Sequence, residues 1–180
     1  MTDAVLFNSA TVSNALTQMT KAISASEVCL IGIHSGGAKV ADAIQSQLEA
    51  MGNTVQRGNL DISFYRDDLD TIGPNPEVRP SELPFDVSGK DIWLIDDVLY
   101  SGRTIRAAMG ELFDYGRPAS IRLAVLVDRG GRQLPIQADC VGLQHTAAPA
   151  NCTVELITDG QITDKLITGE TWYFEQRQVK

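Results

Sequence analysis

Three short, largely apolar runs constrain this chain more than any other feature: 27–33 (EVCLIGI), 91–95 (DIWLI) and 120–127 (SIRLAVLV). Each stops at a polar or glycine-bearing turn: His34-Ser35-Gly36-Gly37, Asp96-Asp97, and Asp128-Arg129-Gly130-Gly131. Short runs without polar alternation predict strands buried on both faces. Helical spacing fills the gaps. Residues 38–51 place Val40, Ala41, Ile44 and Leu48 on one face, and Gly52-Asn53 ends that helix. Residues 105–115 turn Ile105, Ala108, Met109 and Leu112 inward, with Gly116 as C-cap. A first helix over 11–23 carries Val12, Leu16, Met19 and Ile23, capped by Ser9 or Thr11. Alternating strands and helices predict an α/β fold, a parallel twisted sheet flanked by helices. Ligands of such sheets bind beyond the carboxyl ends of the strands, so the three turns are predicted to face one crevice.

The rest of the chain bounds the function. Its 180 residues suit one domain, and a net charge of -8 argues against an indiscriminate nucleic-acid or anionic-membrane binder. The apolar run at 121–127 is far below the roughly 20 residues that cross a bilayer. Residues 1–9 carry Asp3 and no basic segment, so no signal peptide is expected. The three cysteines, Cys29, Cys140 and Cys152, form no CxxC, and His34 and His145 sit at no zinc spacing. Neither a disulfide framework nor a structural zinc site is expected, and a reducing cytoplasm fits. Residues 54–65 are β-rich. Residues 69–90 hold four of the seven prolines and read as a lid or binding loop. Strand-like pieces recur at 153–157 and 171–174, where Trp172-Tyr173-Phe174 reads as a terminal edge strand packed on the core.

The stretch richest in chemistry is 92–104 (IWLIDDVLYSGRT). A buried strand ends in two carboxylates, and a short glycine-containing loop then enters a helix. The loop N–H groups and the helix N-terminus form an anion nest suited to a phosphate, with Ser101 and Thr104 adding hydroxyls. Asp96 and Asp97 would repel that phosphate. They suit the hydroxyls of a sugar, or a cation held through water. A phosphate beside a vicinal diol describes a ribose 5-phosphate.

This stretch resembles the phosphoribosyl pyrophosphate (PRPP) motif of type I phosphoribosyltransferases. The closer resemblance is to the PyrR family of pyrimidine regulatory proteins and uracil phosphoribosyltransferases. It rests on 60–69 (LDISFYRDDL), 96–104 (DDVLYSGRT), 115–120 (YGRPAS) and 123–135 (LAVLVDRGGRQLP), in family order. The resemblance implies one phosphoribosyltransferase-like domain over 1–180, with a flap at about 66–90 and a hood at about 140–180. It implies that uracil displaces pyrophosphate from PRPP to give UMP, with Mg²⁺ on the pyrophosphate. Carried over by position, Asp96 and Asp97 bind the ribose hydroxyls. Val98, Leu99, Tyr100, Ser101, Gly102, Arg103 and Thr104 bind the 5-phosphate. Ser35, Gly36 and Gly37 form the pyrophosphate loop, and Arg79 and Arg129 are further ligand contacts. A homo-oligomer is implied, as is transcription attenuation through uridine-nucleotide-promoted binding of pyrimidine-operon messenger RNA.

The sequence departs from the family at two places. The pyrophosphate loop, commonly Thr-Arg-Gly, is Ser35-Gly36-Gly37, so its arginine is lost and weaker turnover is expected, with His34 a candidate replacement charge. On the RNA-binding face, positions that tend to be basic hold Asn14, Gln18, Gln137 and Leu143, and only Lys21 and Arg132 stay cationic. Messenger-RNA binding is expected to be weakened. Two alternatives follow: a catalytically weak, nucleotide-sensing regulator with reduced RNA binding, and a transferase acting on a purine base.

Overall fold

The computed structural model describes residues 4–62, 81–146, 152–158 and 172–178. The elements run β1 (Ala4–Phe7), α1 (Ser9–Ile23), β2 (Glu27–Ile33), α2 (Gly36–Ala50), β3 (Thr54–Leu60), β4 (Asp91–Leu99), α3 (Arg103–Asp114), β5 (Ser120–Asp128), β6 (Cys140–Gln144), β7 (Cys152–Thr158) and β8 (Trp172–Gln178). Five strands form a parallel sheet in the order β3-β2-β4-β5-β6, the α/β arrangement expected.

The side chains of each strand alternate between two cores. Leu30, Trp93, Ile95, Ala124 and Leu126 face α1 and α2, packing on Val12, Leu16, Met19, Val40, Ile44 and Leu48. Cys29, Ile31, Ile92, Leu94, Leu123 and Val125 pack with Ile105, Ala108 and Leu112 of α3 on the opposite face. Both faces are dry, which explains why these strands lack a polar alternation. At the sheet edge, Arg57 of β3 is largely buried. Its Nη2 donates to the Ala38 carbonyl and to Asp42 Oδ1, each at 3.0 Å, and so fastens the first turns of α2. Burial pulls the Arg57 guanidinium below the usual arginine range, and Asp42 opposes that shift.

Several expectations change. Asn8, not Ser9 or Thr11, caps α1, its Oδ1 accepting the Thr11 N–H at 3.0 Å. Strand β4 runs four residues past Ile95, because Asp96, Val98 and Leu99 keep pairing with Val125, Val127 and Asp128. Residues 81–90 are not part of a flap. Asn59 and Glu82 exchange backbone hydrogen bonds at 2.8 Å in both directions, and Val87 is buried in the α3-side core. Tyr65-Arg66-Asp67-Asp68, Arg79 and the remaining flap lie outside the described residues. Strand β6, expected with the hood, is instead the fifth strand of the main sheet, parallel to β5.

A second sheet has the order β1-β8-β7, antiparallel throughout. Strand β8 is therefore its central strand rather than an edge. Phe174 is completely buried there, edge-on to Phe7 with ring centroids 6.3 Å apart. Strand β1, the N-terminal partner, was not expected from the sequence; the Val5-Leu6-Phe7 run was its signal.

Candidate active site

Strand β2 pairs with β3 on one side and β4 on the other, so the chain changes winding direction between β2 and β4. Loops leaving adjacent strands on opposite faces of a sheet part at such a point and open a crevice. A cavity of about 350 Å³ lies there, within the range that holds a small ligand. Its walls come from the turn after β2, the end of β4 and the loop into α3, Arg129 after β5, and Val154, Glu155 and Leu156 of β7.

The β2 turn contains a cis His34–Ser35 peptide and leads directly into α2 at Gly36. Both glycines that follow sit in close approach to β4, Gly37 against its backbone and Gly36 against a side chain. A Cβ on Gly36 would overlap the Asp97 carboxylate, and one on Gly37 would lie 2.8 Å from Asp96 Cα. The start of α2 thus rests on the acid pair itself. Asp96 is buried, Asp97 is partly exposed, and the Asp97 N–H donates to Asp96 Oδ1 at 3.0 Å.

The loop from β4 to α3 ends at Gly102, whose φ of 92° places it in the left-handed region before the helix begins. Behind it folds the segment after β5. Arg129 N–H donates to the Leu99 carbonyl at 3.1 Å, and the N–H groups of Gln133 and Leu134 donate to the Ser101 carbonyl at 3.0 and 3.1 Å. The Arg129 guanidinium, almost fully buried, stacks on the Tyr100 ring with Cζ 4.0 Å from its centroid.

Of the residues singled out by sequence, Ser35, Gly36, Asp96, Asp97, Val98, Tyr100, Thr104 and Arg129 line the cavity. Others do not line it. Gly37 lies beneath Asp96, and the Leu99 side chain is buried in the α3-side core. Ser101 is buried and its Oγ accepts the Arg103 N–H at 3.3 Å. Gly102 packs against Ile136, and exposed Arg103 donates from Nε to Gln133 Oε1 at 3.0 Å. His34 does line the cavity. So does Lys39, one turn into α2, which sequence reasoning missed. Its signal was its spacing from Gly36 once the helix is known to start there rather than at Ala38. Glu155 was also missed, because only tertiary packing brings β7 to this crevice.

Among the described residues, no three His, Cys, Asp or Glu side chains cluster as a metal cage. The donor set, two adjacent carboxylates beside cationic side chains, fits Mg²⁺ carried on ligand phosphates and water better than an all-protein site. None of the described helices is long and apolar enough to cross a membrane.

Comparisons with known proteins agree with this geometry. The phosphoribosyl transferase domain family matches residues 6–154. The bifunctional protein PyrR of Nitrosococcus oceani is 55% identical over 120 residues, 67% of each chain. That of Pseudomonas paraeruginosa is 57% identical over 112 residues, 62% of this chain and 64% of the relative. The matched segment thus spans about two thirds of these relatives' length. Among solved structures, a Bacillus anthracis hypoxanthine-guanine phosphoribosyltransferase shares the fold at a TM-score of 0.62 and 18% identity, over 78% of this chain and 83% of the other. A Trypanosoma cruzi hypoxanthine phosphoribosyltransferase does so at 0.62 and 21%, over 78% and 77%. The crevice, the acid pair, the matched domain and the relatives converge: the chain belongs to the PyrR family of type I phosphoribosyltransferases.

Proposed function

We propose that the chain transfers a phosphoribosyl group from PRPP to uracil, giving UMP and pyrophosphate, and that the same pocket senses uridine nucleotides in the control of pyrimidine gene expression. One observation carries the reading: Asp96 and Asp97, the loop into α3, and the cationic Lys39 and Arg129 all converge on the one crevice.

The chemistry suits these groups. As pyrophosphate departs, positive charge grows on the ribose and negative charge on the leaving group. Asp96 and Asp97 orient the ribose by accepting from its vicinal hydroxyls, and their charge faces the developing cation. The loop into α3 and Thr104 hold the 5-phosphate, which fixes the sugar for attack. Lys39 and Arg129 offset the charge of the pyrophosphate. Mg²⁺, when bound with PRPP, supplies further neutralisation of that polyanion. Cytoplasmic residence and a homo-oligomeric state accompany this reading.

The test is UMP formation from purified protein, PRPP, Mg²⁺ and labelled uracil, with hypoxanthine as control base. Turnover with uracil and not hypoxanthine is expected. Gly36 favours a second reading, a nucleotide-sensing regulator with weak catalysis, because Asp97 lies where a loop side chain would reach toward the leaving group. Measurable UMP binding with no turnover of either base selects that reading.

A further inference from the structure

The segment after β5 does more than reach the cavity with Arg129: it wraps the loop that enters α3. Gly130 and Gly131, with φ of 71° and 79°, both take the left-handed conformation and turn the chain back on itself. A Cβ on Gly131 would overlap the Tyr100 ring. The turn returns Arg132 beneath the β4–α3 loop. There Nη1 donates to the Tyr100 carbonyl at 2.9 Å and, more weakly, to the Leu99 carbonyl at 3.4 Å. Nε donates to the Ile136 carbonyl at 3.0 Å, and Nη2 meets Asp128 Oδ2 at 2.6 Å. The other Asp128 oxygen accepts the Gly130 N–H at 2.9 Å.

We propose that Arg132 is a positioning residue for the 5-phosphate cradle, acting through the carbonyls of the loop and not by touching ligand; this rests on the nucleotide reading of the pocket. In a trans peptide the C=O and the following N–H point in opposite directions. The carbonyls of Leu99, Tyr100 and Ser101 are all held by donors from the 129–134 segment. The N–H groups of Tyr100, Ser101 and Gly102 are thereby turned away from that segment, and no carbonyl dipole of the three is left to face an anion. Backbone N–H groups from the segment serve Leu99 and Ser101. For Tyr100, the donor among the described residues is the Arg132 side chain. Its planar fork meets four acceptors at once, an arrangement a lysine ammonium cannot reproduce.

The experiment compares UMP with uridine, which lacks the phosphate, on the full chain and on Arg132→Gln, Arg132→Lys and Asp128→Asn variants, each checked for a native far-ultraviolet spectrum. Arg132→Gln is expected to weaken UMP about tenfold or more, the scale of a lost charge-assisted hydrogen bond, while uridine changes by less than about threefold. Arg132→Lys recovers part of the loss. Asp128→Asn, which keeps the glycine turn but loosens the guanidinium, moves UMP in the same direction by less. Unchanged UMP affinity in Arg132→Gln overturns the proposal, as does an equal loss of UMP and uridine. Should Arg132→Gln not fold, the Asp128→Asn ratio of UMP to uridine affinity decides by the same criterion. A wild-type protein that binds UMP no better than uridine overturns the phosphate-cradle reading itself, and the proposal with it.

Discussion

The Asp97 carboxylate occupies the space into which a side chain on Gly36 would project. The first residue of α2 and an acid of β4 are therefore a matched pair: a side chain at Gly36 requires the Asp97 carboxylate to move. Alanine at a helical position ordinarily adds stability over glycine. Here Gly36→Ala is expected to destabilise by about 1–3 kcal/mol through overpacking. It should also raise the KM for PRPP about tenfold or more by displacing Asp97. In an Asp97→Ala background the same change should cost little or even stabilise. Thermal melts of the four proteins of that cycle measure the coupling, and additive effects would contradict the contact.

Lys39 lines the cavity from the first turn of α2, on the side where Gly36 offers no side chain. Lys39→Met is expected to weaken inhibition by pyrophosphate about tenfold while the KM for uracil stays within about twofold. Steady-state kinetics with pyrophosphate as product inhibitor separates the two. A change confined to the uracil KM would place Lys39 elsewhere in the reaction.

Phe174 joins the smaller sheet to the α1–α2 side of the main core, fully buried against Phe7. Phe174→Ala should cost about 3–5 kcal/mol, the usual range for a buried aromatic truncated in place. Urea denaturation should show the midpoint falling with little change in slope.

Burial is the main cause that pushes the Cys29 thiol upward, against an opposing pull from Lys90, and burial followed by Asp139 does the same for Cys140. The thiolate is the reactive form. In a Cys152→Ser variant, alkylation by iodoacetamide at about pH 8.5, near the free thiol pKa, is expected to be slow in the folded protein and fast in urea. The folded state keeps these protons where the unfolded chain releases them, so their contribution is intact below the unfolded pKa and declines as pH rises past it. Equal alkylation rates in folded and unfolded protein would refute both assignments.

RNA affinity is expected to be low. Asn14, Gln18 and Lys21 form an exposed stripe of α1, but only one of the three is cationic. Leu143 packs on the core, and Arg132, the other cation expected on that face, is engaged by four acceptors of its own chain. Filter binding of a pyrimidine-operon leader RNA with UMP at physiological salt should give no tight complex, because affinity rises with the number of cationic contacts. Tight, sequence-specific, UMP-promoted binding would reject this view.

Strand β2 and the parallel character of the sheet were legible from residues alone, though not the order of its strands. A segment dry on both faces must be apolar throughout, and that leaves a trace no solvent-exposed strand shares. That Asp96, Asp97 and Thr104 would meet at one crevice was legible for a related reason: the carboxyl ends of parallel strands gather there. Which other residues of that loop line the cavity was not legible. The tertiary structure decided that Leu99 and Ser101 support the loop from behind, that β7 closes the crevice with Glu155, and that β8 lies between β1 and β7. It also drew Arg132 inward. A cation's role depends on the acceptors around it, and two of the four around Arg132, the Leu99 and Tyr100 carbonyls, lie about thirty residues away in the chain, which local patterning does not report.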